Sequence, residues 1–424
     1  MMKLVLPLLC LLSLNLCSVA QRDCRSVDYK QDVLQRNPGL AVKVQEIESF
    51  TRQRLQRSTV EVTGEGTGSK GVSVIRIPVI VHIIYNSSQQ NISDAQVQSQ
   101  IDVLNRDYRK KNADTSKIPG YYSPLAADCG FQFELANIDT NGNATTGIVR
   151  KHTNVVSFQS NDAIKFTARG GDDAWDRDRY LNIWVGNLTG GILGYSSFVG
   201  GPKETDGVAI LYTAFGTNGT ATAPFNLGRT ATHEIGHWLN MIHIWGDTDC
   251  GNDEVDDTPQ QQAATRGNPS GMIFSCGNTP YGNLYMDFMD FTDDAGMHLF
   301  TYGQRNRMQT LFAQGGFRAP LLSSNGLSGT SVNSGSTDTS SGAAVNAPAL
   351  HIYPNPASNT VTVTADDASS VGSLLEIFDQ VGQRLMVTRI AGTSSQLNIS
   401  SLPRGLYFIR VNGGQLKGLR LVKI

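Results

Sequence analysis

The chain has 424 residues, enough for two or three domains with hydrophobic cores of their own. Its formal net charge at pH 7 is only −2, and no basic stripe or polybasic tail stands out. This charge balance argues against nucleic acid and anionic membranes as partners. Charged residues make up 17% of the chain, below the usual value of about 25%. A weakly charged composition with 43 glycines is typical of proteins outside the cytoplasm.

The first twenty residues predict a secretory signal peptide. Met1-Met2-Lys3 gives a positive start, residues 4–16 are almost wholly apolar, and Ser18-Val19-Ala20 supplies a small-x-small cleavage pattern. The apolar run is too short for a membrane span, and no later segment reaches about 18 apolar residues. A lipoprotein signal through Cys17 is the alternative, but the Asn-Leu pair before it is unlike such signals. We therefore expect Sec export with removal of residues 1–20, and no transmembrane segment.

A docking segment and a joint precede the first globular domain. Residues 21–57 are polar and helix-prone but too poor in apolar residues for a core, so we expect them to dock on another part of the protein. A glycine-rich joint extends to about residue 73. The first globular domain is predicted at residues 74–322.

Strands and helices alternate through this domain. The β-branched stretch Val74–Tyr85 is dense enough for a buried strand, and Ser93 followed by Gln96 marks the start of a helix. Further strands are predicted at Phe131–Leu135, Tyr180–Val185, Ile192–Phe198 and Val208–Tyr212. The alternation predicts an α/β (α+β) domain with a mixed sheet.

The C-terminal part has a different composition. Residues 323–348 are mostly Ser, Thr, Gly, Asn and Ala, which cannot bury a core, so they are predicted to form a flexible linker. Residues 349–424 alternate short apolar runs with turns and contain no segment of helical period. We expect this last segment to fold as an all-β sandwich.

The strongest chemical signal is the sequence HEIGHWLNMIH, which begins at His233. On a helix, His233 and His237 lie one turn apart and face the same way, so both imidazoles can bind one zinc ion. Glu234 lies beside them, where it can take a proton from a metal-activated water rather than ligate the metal. His243 becomes the third ligand if the helix ends after His237, and Asn240 tolerates the left-handed conformation that this break needs.

Two classes of protein fit this pattern. The leading hypothesis is a zinc endopeptidase that hydrolyses peptide bonds in proteins and peptides by zinc-activated water. The competing hypothesis is a cell-surface adhesin or binding protein with a vestigial metal site. The intact Glu234 favours the enzyme, because a vestigial site needs only its ligands.

The sequence around these histidines resembles a known family. HExxHxxGxxH followed by a methionine turn is the metzincin signature. The chain resembles the pappalysin branch of the metzincins, and within it the ulilysin-like bacterial enzymes, over about residues 24–320. The supporting stretches are Ile77-Pro78-Val79 with Val81-His82, Ala174-Trp175-Asp176, Tyr180–Val185, Asn226–Thr232 and His243–Asp247. The resemblance implies a metzincin-type catalytic domain with a mixed sheet and an active-site helix.

The resemblance also implies roles for residues near the zinc. Met289 is implied as the methionine turn, a hydrophobic floor beneath the metal. Asn240 replaces the usual glycine, a harmless departure because Asn tolerates the left-handed conformation. Phe291 stands where relatives usually have tyrosine. The chain therefore lacks a hydroxyl that could approach the metal and the reacting carbonyl.

An acidic loop follows the histidines. Asp249, Asp253, Asp256 and Thr258 offer hard oxygen ligands on a loop, which suits calcium. Similar enzymes bind structural calcium in this part of the fold, so the resemblance implies a Ca²⁺ site drawn from these residues. A solvated acidic loop is the alternative.

Four cysteines remain after the signal peptide, and export permits disulfides among them. Four cysteines allow three pairings. Cys250 and Cys276 flank the acidic loop and are expected to form a disulfide, which would stabilise the fold by about 3 kcal/mol. Cys129 is then unpaired unless it bonds Cys24.

Cys24 lies at the head of the docking segment. Related pro-segments carry a cysteine at this place, so the resemblance implies that residues 21–57 are a pro-segment. A Cys24 thiolate would be a fourth zinc ligand and would block the position that water needs. We therefore expect a latent precursor, with a Cys24–Cys129 disulfide as the alternative, and Arg57-Ser58 offers a cutting point.

Asp294 holds the position that resembles the arginine-selecting acid of ulilysin-like enzymes. No Lys or Arg lies near Thr292-Asp293-Asp294 in the sequence, and a carboxylate in a partly desolvated pocket favours a guanidinium. We expect cleavage on the N-terminal side of Arg, with Lys weaker. The alternative is that Asp293 and Asp294 face solvent or hold calcium.

Residues 349–424 resemble the sorting domain of type IX secretion substrates from Bacteroidetes. The matching features are Tyr353–Ala357, Leu402–Tyr407 and the basic end Lys417–Lys423. The resemblance implies recognition by the type IX machinery and a protein that is secreted or held at the cell surface. A generic β-sandwich binding module is the alternative.

Overall fold

The structure of the chain is a computed structural model that describes residues 22–62, 74–327, 350–365, 374–379, 384–389, 392–412 and 419–424. The expected signal peptide, the joint after residue 62 and the linker from residue 328 onward lie outside the described residues. The chain divides into two units, residues 1–333 and 334–424. In the described part of the chain, no helix combines the length and the apolar character needed to cross a membrane.

The first unit alternates helices and strands, as the sequence predicts. Its helices and strands are α1 Ser26–Arg36, α2 Gly39–Val62, β1 Ile75–Tyr85, α3 Asp94–Asp107, β2 Phe131–Leu135, β3 Ile148–His152, β4 Leu181–Gly186, β5 Gly194–Ser196, β6 Val208–Leu211, α4 Arg229–Trp238, β7 Arg266–Gly267, β8 Phe291–Thr292 and α5 Tyr302–Thr310. Short 3-10 helices connect them at Ala113–Lys117, Ser123–Leu125, Ala163–Lys165, Thr167–Arg169, Lys203–Thr205, Tyr212–Ala214, Asp294–Gly296 and Ala319–Ser323.

The main sheet is mixed, with strand order β2-β1-β4-β6-β5 and β3 also paired with β1. The long strand β1 is parallel to β2 through its first half and to β3 through its second half, and it is parallel to β4 along its other edge. Only β5, at the far edge, runs antiparallel to its neighbour β6. This topology confirms the expected α/β class with a mixed sheet.

The core lies between this sheet and the helices α3 and α4. Because side chains alternate along a strand, β1 directs Ile77, Val79, Val81 and Ile83 into one core, where they meet Ile235 of α4. Its other face contributes to smaller clusters. The helix α3 begins at the predicted Ser93 cap, whose hydroxyl accepts a hydrogen bond from the main chain of Gln96.

The segment ahead of the sheet forms two helices rather than a single helix-prone stretch. The helix α1 packs against β5, and α2 packs against α5. Tyr29 and Val33 of α1 are almost fully buried, and the Tyr29 hydroxyl donates to Asp162 at 2.8 Å. The segment is therefore held by apolar and polar contacts with the rest of the first unit.

The second unit is all-β, as expected. Its strands are β9 Leu350–Tyr353, β10 Thr360–Ala365, β11 Leu374–Phe378, β12 Arg384–Arg389, β13 Ser394–Asn398, β14 Gly405–Asn412 and β15 Leu419–Lys423. They form a three-stranded sheet, β13-β10-β9, and a four-stranded sheet, β12-β11-β14-β15, both antiparallel. Val361, Leu375, Ile377 and Leu421 join in one apolar core.

The sequence did not predict two elements of the first unit, and it predicted the end of this unit a few residues too early. Strand β3 and helix α5 were not predicted, since β3 has an exposed polar face and α5 has few apolar residues. The first unit was expected to end at residue 322, yet Gly326 still packs on it. The carbonyl oxygen of Gly326 accepts hydrogen bonds from the main chain of Asn137 and Ile138. The sequence could not predict this contact, because it is made by backbone atoms in a glycine-rich stretch.

Candidate active site

The helix α4 carries His233 and His237 on one face and is buried along its whole length. The Tyr108 hydroxyl donates to the carbonyl oxygen of Thr232 at 2.9 Å, and this contact fixes α4 against the end of α3. Gly236 lies directly against Met289, and a Cβ at Gly236 would collide with the Met289 sulfur. The glycine between the two histidines therefore lets the helix rest on Met289.

The chain reverses immediately after α4 and brings His243 back to the helix. Asn240 adopts the left-handed conformation with φ of 70°, and the main chain of Met241 donates to the carbonyl oxygen of Gly236. The His237 Nε2 lies 3.0 Å from the His243 Nε2 and 3.2 Å from the His233 Nε2. Three imidazoles consequently meet at one point.

Each imidazole is held through its other ring nitrogen. The Nδ1 atoms of His233 and His237 lie 2.7 and 2.9 Å from main-chain carbonyl oxygens, and that of His243 lies 2.5 Å from a carboxylate oxygen of Asp247. These acceptors place the proton on Nδ1 and leave a lone pair on each Nε2. Burial lowers the pKa of His233 and, to about 3, that of His237, so both rings are neutral. Three converging lone pairs fit a tetrahedral zinc ion.

Cys24 completes the cluster. Its sulfur lies, with the three histidine nitrogens, in a group whose atoms are all within 4.8 Å of one another, the one such group among the described residues. The Cys24 main chain forms a parallel bridge with Gly194 of the edge strand β5. The sulfur is also 3.5 Å from Glu234 Oε2. The expected ligand set is thus brought together across a separation of more than two hundred positions.

Glu234 faces this cluster from the helix. The Ser26 hydroxyl donates to its Oε2 at 2.8 Å, and Ser26 also accepts from the main chain of Ser196 on β5. Burial raises the pKa of Glu234 to about 7, against the effect of Ser26 and Cys24. The carboxylate therefore lies beside the histidines and is contacted by Cys24 and Ser26 from the docking segment.

Asp294 lies at the floor of a buried pocket that holds Arg22. One Asp294 oxygen is 2.5 Å from Arg22 Nη2, and the other accepts from the main chain of Leu227 and Arg229. Arg22 also donates to the Thr292 carbonyl oxygen at 3.0 Å. Both side chains of the ion pair are 1% exposed or less. The sequence offers no Lys or Arg close to Asp294, and the cation that binds Asp294 is Arg22, from 272 positions away.

Met289 and Phe291 line the site from below. Met289 is fully buried under α4. The Phe291 ring lies 4.9 Å from the His243 ring and 5.7 Å from the His233 ring, measured between centroids. The apolar ring of Phe291 therefore stands beside two of the three imidazoles.

The four calcium candidates do not form one cluster. Asp253 is buried, and the Thr258 hydroxyl lies 2.9 Å from each of its carboxylate oxygens. Asp249 and Asp256 are exposed, and neither joins a group of metal-ligating side chains in the described part of the chain. Burial raises the pKa of Asp253 to about 7. The four candidates followed from the resemblance, and the sequence does not show how the turns of this loop place their side chains.

The cysteines adopt one of the expected arrangements. Cys250 and Cys276 form a disulfide. Cys24 and Cys129 are both buried and free, so the alternative Cys24–Cys129 disulfide is absent. Burial raises the pKa of the Cys129 thiol well above its ordinary value. Cys129 lies in the main core, away from any described partner thiol.

Sequence reasoning missed Arg22 and Ser26, which contact the site from the docking segment. Neither belongs to a motif, and both act through the fold of a segment distant in sequence. The proximity of Arg22 to Cys24 was the only available signal. A cysteine that joins the histidine cluster brings its sequence neighbours into the adjoining pockets.

Two regions of the chain match known families. Residues 167–313 match the peptidase family M43, described as pregnancy-associated plasma protein-A, and residues 351–422 match the secretion system C-terminal sorting domain. An extracellular metalloprotease of Pyricularia oryzae is 34% identical over 269 residues, which cover 61% of this chain and 82% of that protein. The chain belongs to the pappalysin family of zinc metalloendopeptidases. It is secreted and carries a type IX sorting domain.

Solved structures of mirolysin resemble the first unit. Mature mirolysin of Tannerella forsythia in complex with a cleaved peptide is 47% identical, with a TM-score of 0.58. The match covers 59% of this chain and 96% of the mirolysin chain. A variant of T. forsythia promirolysin is 42% identical, with a TM-score of 0.61. This match covers 71% of this chain and 97% of the promirolysin chain. These likenesses confirm the metzincin-type fold.

Proposed function

We propose that this secreted metalloendopeptidase is made as a latent precursor, is activated by loss of its pro-segment, and then cleaves on the N-terminal side of arginine. The observation that carries this proposal is the meeting of Cys24 with three imidazole nitrogens, with Glu234 beside them. His233, His237 and His243 would hold the zinc ion. Cys24 would hold the fourth position in the precursor.

Glu234 is the general base in this proposal. Zinc, when bound, supplies a Lewis acid that polarises the peptide carbonyl and lowers the pKa of water. Glu234 accepts the proton of the attacking water at Oε2, the atom to which Ser26 now donates, and then delivers a proton to the leaving nitrogen. Met289 and the buried surroundings of α4 keep the histidines in place during this transfer.

Latency follows from three contacts of residues 22–26. Cys24 occupies the metal position, Ser26 binds the base, and Arg22 fills the pocket of Asp294. Residues 22–26 therefore block the position of the attacking water, the base Glu234 and the pocket of Asp294. The match to promirolysin covers 71% of this chain and the match to mature mirolysin 59%, which supports the presence of a pro-segment.

The selectivity for arginine rests on the occupied pocket. Asp294 binds a guanidinium in the precursor, and the Thr292 carbonyl oxygen accepts from the same group. Arg22 is stacked over the Phe225 ring, with its guanidinium carbon 5.1 Å from the ring centroid. A substrate arginine would find the same carboxylate, carbonyl oxygen and aromatic face once Arg22 has left. Lysine would use only part of this planar arrangement and is expected to be weaker.

A calcium site at Asp253 is part of the proposal. Asp253 is only 4% exposed, and no salt bridge reaches its carboxylate within the described residues, although the charge of Arg307 lowers its pKa against the effect of burial. A buried carboxylate without a directly bonded cation is costly, and Ca²⁺ accepts carboxylate and carbonyl oxygens on flexible loops. The Val255 carbonyl oxygen and Thr258 lie next to Asp253 and are available as further oxygen ligands. Asp249 and Asp256 are left out of this site.

The sorting domain is proposed to be read by the type IX secretion machinery. Deletion of residues 350–424 should leave active enzyme in the periplasm, measured by peptide hydrolysis in cell fractions. Appearance of the truncated protein in the medium at an undiminished level would contradict this role.

The activity is tested with a peptide library incubated with the processed enzyme, with and without a zinc chelator. Cleavage sites read by mass spectrometry should show arginine directly after the cut, and chelation should abolish cleavage. Cleavage without enrichment of basic residues would refute the selectivity. The absence of any zinc-dependent cleavage would favour the binding protein with a vestigial metal site.

A further inference from the structure

Glu48, in the middle of α2, holds the guanidinium of Arg307 on α5. Its carboxylate oxygens lie 2.9 and 2.7 Å from Nη1 and Nη2 of Arg307, which makes a two-pronged ion pair. The Arg307 side chain is only 1% exposed, and α2 packs against α5. Arg307 therefore lies beneath the helix that belongs to the proposed pro-segment.

The loop between His237 and His243 also contacts Arg307 and fixes its orientation. The Arg307 Nε donates to the carbonyl oxygen of Asn240 at 2.9 Å, and Asn240 is the left-handed residue between His237 and His243. This bond leaves Nη1 and Nη2 directed together at Glu48. A guanidinium fixed in this way is organised in advance to bind a carboxylate.

A cavity of 390 Å³ joins this ion pair to the histidine cluster. Its wall is shared between pro-segment side chains, including Ser26, Lys30 and Glu48, and the rest of the first unit, including His237, Asn240 and Arg307. Arg22 fills its own pocket on one side of Cys24, and Ser26 and Lys30 lead away from Cys24 in the opposite direction along the chain. The cavity reaches the histidine cluster at His237, and none of the residues that contact Arg22 lines it, so it is separate from the Arg22 pocket.

We propose that Arg307 becomes a cationic subsite of the mature cleft and binds an acidic side chain of the substrate on the N-terminal side of the scissile bond. The inference rests on the proposed function, because the pro-segment must leave and the Arg22 pocket must take the residue after the cut. Glu48 leaves with the pro-segment and exposes a fixed guanidinium that already binds a carboxylate. Arg22 and Glu48 thus mimic two substrate side chains of opposite charge.

Glu254, which lines the same cavity as Arg307, is a competitor within the chain. Arg52 of α2 lies 3.5 Å from Glu48 and 3.0 Å from Glu254, so both carboxylates adjoin the same place. Loss of the pro-segment removes Arg52 as well, and Glu254 could then turn toward Arg307. A subsite occupied by Glu254 would not select acidic substrates. The variant Glu254→Gln separates these two cases.

The experiment uses the full chain after it has lost its pro-segment, and pairs of peptides with arginine after the cut. The two members of a pair differ only by Glu against Gln at one position before the cut. At one such position we expect kcat/KM to be about tenfold higher for the Glu peptide, which equals about 1.4 kcal/mol. The ratio should fall to about one in Arg307→Gln and to an intermediate value in Arg307→Lys, and it should shrink at high salt in the wild type.

Arg305→Gln is the matched control, because Arg305 lies on the same helix and its guanidinium stands over the Tyr302 ring instead. It should keep the wild-type ratio. Binding of the same peptide pairs to chains that also carry Glu234→Ala, from which the active wild-type enzyme has removed the pro-segment, is measured by calorimetry and gives a readout independent of catalysis. There too, Arg307→Gln should remove the preference for Glu. If Arg307→Gln fails to fold, Arg307→Lys carries the test.

Two results would overturn the inference. One is cleavage before arginine with equal rates for Glu and Gln at every position before the cut. The other is a preference for Glu that arises only in Glu254→Gln, which would mean that the chain fills its own subsite. A chain that cleaves none of the peptides would instead refute the proposed function, because the Gln peptides require only the zinc site and the Asp294 pocket.

Discussion

The histidine cluster and the arginine pocket are built in opposite ways. His233, His237 and His243 lie within eleven consecutive residues, and one helix with one reversal at Asn240 brings them together. The pocket of Asp294 instead binds Arg22 from 272 positions away. A metal site made by one local element tolerates change elsewhere in the chain. A pocket filled by a distant segment can be opened by cutting that segment off, which is what a latent precursor requires.

The largest effect should come from the local element. Glu234→Ala should lower kcat by about 10²–10⁴-fold, because the general base is removed while all three histidines remain. Zinc content, measured by atomic absorption, should stay at one ion per chain. Glu134→Ala, which removes a half-buried partner of Arg76, is the matched control and should keep full activity. Full activity in Glu234→Ala would disprove the assigned role.

The pocket provides the next largest effect. Asp294→Asn should lower kcat/KM for peptides with arginine after the cut by about 10–100-fold, since a hydrogen bond to a charged group contributes about 1.5–3 kcal/mol. Peptides with leucine at that position should lose much less, because the main-chain bonds of Leu227 and Arg229 to residue 294 can be kept by an amide oxygen. Asp293→Asn is the matched control at the neighbouring position. Equal losses for both peptides would show that Asp294 has a purely structural role.

The contrast between the two sites also explains how far the sequence could be read. The ligand set, the base and the left-handed residue Asn240 follow from helical spacing and local conformational preference, so they can be inferred without a fold. The positions of Arg22 and of the Glu48–Arg307 pair depend on how α1 and α2 pack on the rest of the first unit, and no local sequence pattern encodes this packing. The same limit applies to the acidic loop, where Asp247 and Glu254 adopt left-handed conformations that the sequence does not reveal.

Latency should be weakened by a change at Cys24 alone. Cys24→Ala keeps Arg22 and Ser26 but removes the side chain at the metal position, so the precursor should process itself at least about tenfold faster. Loss of the precursor band over time, on a gel, measures the rate. Cys129→Ala removes the other free cysteine and should leave the rate unchanged. A Cys24→Ala precursor as stable as the wild type would assign latency to Arg22 and α2 instead.

The smallest effect is expected at the acidic loop, which, like the histidine cluster, is formed by residues close together in sequence. Added Ca²⁺ should raise the melting temperature of the wild-type protein, because an ion that binds only the folded state stabilises it by mass action. The shift should amount to a few degrees, since about 1 kcal/mol corresponds to about 2–4 °C in a domain of this size. Asp253→Asn should remove the calcium-dependent part of the shift, whereas Asp249→Asn should keep it, because Asp249 is exposed and apart from Asp253. If Asp249→Asn abolishes the shift and Asp253→Asn does not, the calcium ligands lie on the exposed side of the loop. Differential scanning fluorimetry with and without a calcium chelator distinguishes the two arrangements.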